Sequence, residues 1–436
     1  MEHHRILELI HQTAPALVAD GDQLTRHFYQ HLLGHYPDLK HTFNQANQAS
    51  GAQAHSLFEA IVLFVTKYDQ FETLGADAAR IAAKHVSVDV RPEDYALVGA
   101  SLLATIQVRL GEAANPEVMK AWELAYGRIA GVLTGIEAAT YEQQRSQPGG
   151  WPGFRPFVVA RVEEESAYIN SYYLVPQDGG PLPRYQAGQF ITLAVDVPGR
   201  PHRQLRQYSL SDAPGKPYFR ISVKRGTVHG PLPAAVVSNY LHDCVRPGMV
   251  LHVHAPTGGF CLTPHATTPV VMLAGGMGIT PFMAMVEQLA QEPAPRPVLL
   301  IHAVRSAAEH PFRERMRELA QGAGLSLFTL YQFVPAEAAE GVPSEPGMLT
   351  GMLTADHLKM LLTPAWNGAE FYCCGPVPYM RHVQALLAER GVTACRFEEF
   401  GPTHQLPEVA AAPAPALGSP PQCPYSNRSA QLQPAT

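Results

Sequence analysis

Three groups of residues in this 436-residue sequence have the types and spacing for chemistry. Arg206-Gln207-Tyr208-Ser209 sets a guanidinium, a flat phenol and a hydroxyl within four positions. An arginine grips a phosphate through two parallel N–H bonds. Tyr208 offers a ring face and a hydroxyl, and Ser209 a further hydroxyl. Gly275-Gly276-Met277-Gly278 follows the apolar run Val270–Ala274 and leads into Ile279-Thr280-Pro281. Glycines at a strand-to-helix turn let backbone N–H groups approach a pyrophosphate. This turn lacks the full GxGxxG and is a weak signal by itself. The third candidate is His85, on one helical stripe with Ala78, Ile81 and Ala82. Small alanines let a flat macrocycle come close, and an imidazole binds a metal through one nitrogen while its other N–H needs an acceptor. The chain has 20 histidines. On spacing alone, the commoner reading of His85 is a satisfied or exposed side chain.

The elements that must position these groups change character along the chain. Residues 1–147 read as all-α. Thr13-Ala14-Pro15 predicts an N-cap and an early-turn proline. Leu24, Phe28 and Leu32 make the stripe of a helix that Gly34 can end. Leu57, Ile61 and Val65, with Phe58 and Val62, predict a second helix, the His85 stripe a third, and Pro116 to about Gln144 the last. Gln147 to Gly153 is a breaker-rich linker. Residues 151–265 carry short β-rich runs between Gly/Pro turns, at Phe157–Val162, Ile169–Leu174, Phe190–Val195, Arg220–Lys224 and Val250–Val253, and predict an all-β barrel. Residues 266–402 alternate strands and helices: Val270–Ala274, a helix from Pro281, Val298–Val304, a helix over Glu309–Gln321, Leu325–Phe333, a helix near Ala355–Leu362, Glu370–Cys374, a helix from Pro378, and Cys395–Phe400. That order predicts an α/β doubly wound parallel sheet. Residues 403–436, rich in Pro and Ala, read as a disordered tail.

Composition excludes some partners. The net charge is −6, charged residues are 16% of the chain, and no basic block occurs. Nucleic-acid binding therefore has no electrostatic footprint. Met1-Glu2-His3-His4-Arg5 opens no long apolar run, so neither a signal peptide nor a transmembrane segment is expected. None of the six cysteines forms a CxxC, and a chain this large needs no disulfide framework, so a reducing cytoplasm is expected.

The Arg-x-Tyr-Ser run, placed after Tyr185-Gln186-Ala187-Gly188-Gln189-Phe190 and before the glycine-rich turn, resembles the ferredoxin-reductase module. The first 145 residues carry the pattern of a globin. Together they resemble a flavohemoglobin over nearly the whole chain. The resemblance implies haem b, FAD and NAD(P)H as cofactors. It makes His85 the iron ligand, with Tyr95 and Glu137 behind the imidazole and Lys84 tuning the haem potential. Phe43 would wedge against the porphyrin, Tyr29 and Gln53 would face the distal side, and Leu57 would set the space over iron. Phe190, Arg206, Gln207, Tyr208, Ser209 and Ser238 would hold FAD. Gly275, Gly276, Met277, Gly278, Ile279, Thr280 and Pro281, with Cys374-Gly375-Pro376, would hold the nicotinamide nucleotide. Glu398-Glu399-Phe400-Gly401-Pro402 matches the terminal strand, whose Phe400 would cover the flavin. The chain departs from the family at Ala234-Ala235, where glycines are usual, and at Glu399, where cysteine is common.

The activity implied is nitric oxide dioxygenase: NO and O2 become nitrate with electrons passed from NAD(P)H through FAD to haem. An O2/NO sensor or store with its own reductase, and a reductase of peroxides or quinones, are the alternatives. NO and O2 would be the partners of a monomer. Arg305, after the second α/β strand, would serve a 2′-phosphate or lie on the surface, leaving NADH against NADPH open. About thirty residues extend past the family's usual end. Cys423 among them reads as inert or as a reactive thiol.

Overall fold

The computed structural model describes residues 2–42, 75–226, 235–293, 296–322, 325–331 and 347–400. Its N-terminal part is helical: α1 (His3–Ala19), α2 (Gly21–His35), α3 (Gly75–Ser87), α4 (Pro92–Leu110) and α5 (Pro116–Ser146). Asn115 caps α5, its side chain accepting from the amides of Glu117 and Val118 at 3.0 Å each. That satisfies two of the amides a helix start leaves orphaned. Thr13 is not a cap. It lies inside α1, which runs unbroken through Pro15. The Thr13 hydroxyl donates to the Leu9 carbonyl at 2.8 Å and accepts from Trp122 Nε1 at 3.0 Å. An interior proline costs about 3 kcal/mol. The buried stripe Ile6, Leu9, Ile10 and Leu17 outweighs it at roughly 1.5–3 kcal/mol per side chain. Helix α2 ends at His35, one residue past Gly34 and just before Pro37. The predicted helix around Leu57, Ile61 and Val65 lies outside the described residues.

Six antiparallel strands follow: β1 (Phe154–Ser166), β2 (Ile169–Pro176), β3 (Phe190–Val195), β4 (Gln204–Ser209), β5 (Phe219–Lys224) and β6 (Val250–Thr257), with helix α6 (Val236–Cys244) before β6. Their order is β4-β3-β6-β1-β2-β5, and a bridge between Leu210 and Ile221 joins the two ends. The sheet thus closes into a barrel around Phe157, Tyr172, Leu193, Phe219 and Val253.

The last part holds β7 (Val270–Gly275), α7 (Ile279–Leu289), β8 (Val298–Val304), α8 (Arg313–Gly322), β9 (Leu325–Tyr331), β10 (Met348–Thr350), α9 (Ala355–Leu361), β11 (Glu370–Gly375), α10 (Val377–Glu389) and β12 (Cys395–Glu399). The sheet is parallel throughout, in the order β10-β9-β8-β7-β11-β12. Alternate residues of β7 feed opposite cores. Val270, Met272 and Ala274 pack with α7 and α8, while Val271 and Leu273 pack with α9 and α10. Two departures from the sequence reading occur here. Helix α8 begins at Arg313 rather than Glu309, because Pro311 and a left-handed Phe312 (φ 57°) break the run. The three-residue strand β10 is the second, a strand the sequence pattern does not announce. Among the described residues no helix is long and apolar enough to cross a membrane.

Candidate functional site

His85 sits near the end of α3, and its surroundings fix its chemistry. Its Nδ1 lies 2.8 Å from Glu137 Oε1 and 2.9 Å from the Tyr95 hydroxyl, and that hydroxyl donates to the same carboxylate oxygen at 2.6 Å. A carboxylate only accepts, so Nδ1 carries the proton and Nε2 carries the lone pair. Nε2 has no hydrogen bond among the described residues, and the side chain is 36% exposed. Glu137 is 2% exposed and comes from the middle of α5. Burial and the Glu137 contact push the Tyr95 phenol far above its usual range, so it stays a donor. Tyr95 is itself placed by Tyr126, whose hydroxyl donates to its carbonyl at 2.6 Å. The Tyr126 ring fits only because residue 99 is glycine: a Cβ there would stand 2.4 Å from it. The sequence reading missed Tyr126 and Gly99. A glycine inside a helix is the signal that marks such a contact.

The apolar side of α3 makes a cluster of Ala78, Ala82 and Leu133 with Ile81, Ile129 and Ile136. Among the described residues no three His, Cys, Asp or Glu side chains converge to hold a bare ion. A metal held at Nε2 must bring its other ligands with it, as a haem iron does, and the small residues beside His85 suit a flat group. Tyr29 packs against the other helical core, edge-on to Phe28 with ring centroids 5.0 Å apart, and burial raises its phenol pKa. Phe43, Gln53 and Leu57 lie outside the described residues.

Strand β4 carries the Arg206 group. The Arg206 guanidinium is half-buried, donates to the Leu205 carbonyl at 2.7 Å, and has no carboxylate partner among the described residues. Burial opposes its charge. A buried cation without a counter-ion is costly, and a phosphate supplies one. Tyr208 shares the Arg206 side of the strand by alternation, and burial holds its phenol protonated. Ser209 is buried and pairs across the ladder with Phe190, whose ring lies over Gly258. Gln207 points the other way, and its side-chain amide donates to the Ser87 hydroxyl at 2.6 Å. Ser238 is the third residue of α6, its hydroxyl donating to the Ala235 carbonyl at 3.1 Å. Ala234 lies outside the described residues.

The glycine-rich turn lies where the sheet order reverses. The chain moves outward from β7 through β8, β9 and β10, then returns to β11 on the other side of β7. The carboxyl ends of β7 and β11 bound the crevice such a reversal creates. Gly276, at φ 52°, opens a single 3-10 turn through Met277 to Gly278. The glycines do two jobs. Around Gly276 there is open space, whereas a Cβ on Gly278 would stand 2.0 Å from the Cys374 carbonyl, and one on Gly275 or Gly375 would strike the Tyr379 ring. Two strand ends can meet here only without side chains. Thr280 donates to the Met277 carbonyl at 2.9 Å, and Ile279 and Pro281 are buried in α7. Cys374 is fully buried, burial raises its thiol pKa well above normal, and its carbonyl is the atom that Gly278 approaches. Pro376 is the N-cap of α10. Beneath the turn, His302 Nε2 donates to the Gly276 carbonyl at 3.0 Å, and the His310 ring stands 5.2 Å from that of His302. The sequence reading did not single out either histidine. Arg305 is exposed just past β8.

The end of α3 meets strand β4 through Gln207 and Ser87 and lies close to the charges of strand β12. Lys84 feels the charges of Glu398 and Glu399 on β12, while burial lowers its pKa. Burial raises the Glu398 pKa against the opposing pull of Lys84. Phe400, next along the chain, is half exposed. Gly401 and Pro402 lie outside the described residues.

Known proteins resemble this arrangement. A globin model matches residues 26–133, and an oxidoreductase NAD-binding domain matches residues 272–385. A flavohemoprotein of Deinococcus radiodurans is 42% identical over 406 residues, covering 92% of this chain and 97% of its own length. The structure of a flavohemoglobin from Malassezia yamatoensis, solved with bound FAD and heme, superposes with a TM-score of 0.79 at 25% identity, over 91% of this chain and 99% of that one. The flavohem-like FAD/NAD binding domain of nitric oxide dioxygenase from Vibrio cholerae matches at a TM-score of 0.51 and 36% identity, over 57% of this chain and 98% of that domain. A globin joined to a barrel and an NAD-binding sheet is an NAD(P)H-dependent oxidoreductase. The chain belongs to the flavohemoprotein family.

Proposed function

We propose that the protein is a nitric oxide dioxygenase, drawing electrons from NADH or NADPH through FAD and haem b. The observation that carries this reading is His85: one nitrogen is tied to Glu137 and Tyr95, the other makes no hydrogen bond among the described residues, and its helix ends against β4 and near the charges of β12. When bound, the cofactors supply hydride acceptance, one-electron transfer and the iron at which NO and O2 combine. The protein's residues do the rest. Glu137 and Tyr95 hold the Nδ1 proton, and the carboxylate makes the imidazole a stronger donor. Tyr29, Gln53, Leu57 and Phe43 are assigned to the distal side and the macrocycle edge. Arg206 and Ser238 are assigned to the FAD pyrophosphate, and Phe190, Tyr208, Ser209, Glu398, Glu399 and Phe400 to the flavin ring. The open space at Gly276 and the start of α7 are assigned to the nucleotide pyrophosphate, with the carboxyl end of β11 beside the nicotinamide. Lys84 is assigned to tuning the haem potential.

The same reading divides the chain at 1–147, 151–265, 266–402 and 403–436. It describes a cytoplasmic monomer whose partners are NO and O2. Converting one NO and one O2 to nitrate takes one electron, so each NADH serves two turnovers. The test is NADH oxidation in air with and without NO, with nitrate measured. Two nitrates per NADH, at a rate set by NO, are expected. NADH oxidation indifferent to NO, or the absence of nitrate, overturns the reading.

A further inference from the structure

We infer that Gln207 and Ser87 form a latch that holds the His85 helix in register with the Arg206–Ser209 strand, and that this latch governs electron passage from the flavin side to the haem side. The inference rests on the cofactor reading above. Gln207 Nε2 donates to Ser87 Oγ at 2.6 Å, and Ser87 Oγ donates to the Lys84 carbonyl at 2.7 Å. Ser87 is fully buried and lies two residues beyond His85, while Gln207 stands between Arg206 and Tyr208. One hydrogen bond therefore crosses from the flavin strand to the last turn of the histidine helix, and a second, inside that helix, anchors the hydroxyl that receives it.

Other bonds join the helical part to the barrel, but elsewhere. Gln144 donates to the Pro256 carbonyl at 3.3 Å, and the Arg203 amide meets His41 Nδ1 at 3.3 Å. Both are longer, and neither touches β4's Arg-x-Tyr-Ser or α3. The Gln207–Ser87 bond links those two elements directly. Its setting makes it selective. Strand alternation sends Arg206 and Tyr208 to one side and Gln207 to the other, so the residue that reaches the helix is not the residue that faces the phosphate. The Ser87 hydroxyl is satisfied on both sides, as donor and acceptor. Removing Gln207 leaves a buried hydroxyl short of one partner, a loss expressed at this contact. The same helix also packs on strand β6 of the barrel, which keeps the fold docked when the latch is cut. The latch sets register and not assembly.

The test follows anaerobic reduction of the holoenzyme by NADH in a rapid-mixing spectrometer, reading the flavin phase and the haem phase separately. For Ser87→Ala we expect wild-type haem and FAD content and an unchanged flavin phase. The haem phase should slow by up to roughly three- to tenfold, the factor by which one hydrogen bond shifts an equilibrium between docked and undocked helix. Ser87→Thr keeps the hydroxyl and restores the haem phase. Gln207→Ala slows the haem phase by a similar factor, and the Ser87→Ala/Gln207→Ala double variant is no slower than the worse single one, because both remove one interaction. Additive slowing overturns the latch, as does an unchanged haem phase in both single variants. Loss of FAD on Gln207→Ala moves that residue into the flavin site and also overturns it. A wild-type enzyme whose flavin is reduced while its haem is not overturns the cofactor reading and, with it, the role of the latch. That outcome is recognised without any variant.

Discussion

His85 and His302 are the same side chain put to opposite uses. Each makes its defining bond through one ring nitrogen. His85 donates Nδ1–H to a carboxylate, Glu137, and its Nε2 makes no hydrogen bond among the described residues. His302 donates Nε2–H to a backbone carbonyl, Gly276, and is 1% exposed. A carboxylate partner feeds charge into the ring and readies the far nitrogen as a ligand. A carbonyl partner with full burial keeps the ring neutral, and burial drives the His302 pKa down to about 4. The first histidine is the one we propose as a ligand, while the second is a strut beneath the glycine turn. What separates them is the partner and the exposure, not the residue.

The largest expected effect comes from removing the open nitrogen. His85→Ala should abolish the Soret band while leaving FAD at wild-type occupancy, because one nitrogen is the only protein bond to a globin iron from that side. His302→Ala, at the other end of the comparison, should retain both chromophores. Absorbance spectra of the two purified variants decide the matter, and an unaltered Soret band in His85→Ala would end the ligand assignment.

A smaller effect tests the partner. Glu137→Gln keeps the shape and one acceptor oxygen but removes the charge behind the imidazole. Turnover with NO should fall about 10- to 100-fold, the usual cost of losing a hydrogen-bonded group behind a metal ligand, and the haem midpoint potential should rise because the donor is weaker. Haem content should stay normal. If kcat and potential both match the wild type, the carboxylate has no electronic part and only holds the ring.

Much of this arrangement is legible in the amino-acid sequence, for reasons that differ by region. The parallel sheet is readable because its strands are continuous apolar runs punctuated by Gly and Pro, as strands buried on both faces must be. His85 is readable only as one of a matched set, since a lone histidine among 20 carries no signal. Thr13 and Pro15 mislead because a local start signal is worth about 1 kcal/mol, less than the buried stripe that carries α1 past it. The start of α8 differs from expectation because a left-handed backbone is not a property that Phe312 announces. Strand β10 has three residues, too few for a period to show. The Gln207–Ser87 bond spans 120 positions and joins two residues whose types suit any surface. Pairings of that kind exist only in the folded chain.

The smallest effect comes from the strut and is read through pH. Burial lowers the pKa of His302 to about 4 and that of His310 to about 2, the latter aided by the nearby charges of His302, Arg313 and Arg317. Both rings are therefore neutral in the fold down to pH near 4, whereas the unfolded chain protonates them below about pH 6.5. Unfolding then takes up protons, so stability rises with pH in this window. It is undiminished above pH 6.5 and is lost as pH falls from 6.5 toward 4. Two such rings steepen the loss by about 2.7 kcal/mol per pH unit at most. His310→Gln keeps an amide to meet the Tyr331 hydroxyl, which lies 2.9 Å from His310 Nδ1, but removes one titrating ring. The acid slope of its unfolding free energy, measured with denaturant between pH 6.5 and 4.5, should be shallower than wild type by about 0.7 kcal/mol per unit at pH 6.5, growing to about 1.4 at pH 4.5. Carboxylates contribute equally to both proteins and cancel in the difference. Equal slopes would mean that His310 titrates normally in the fold and that burial does not hold it neutral.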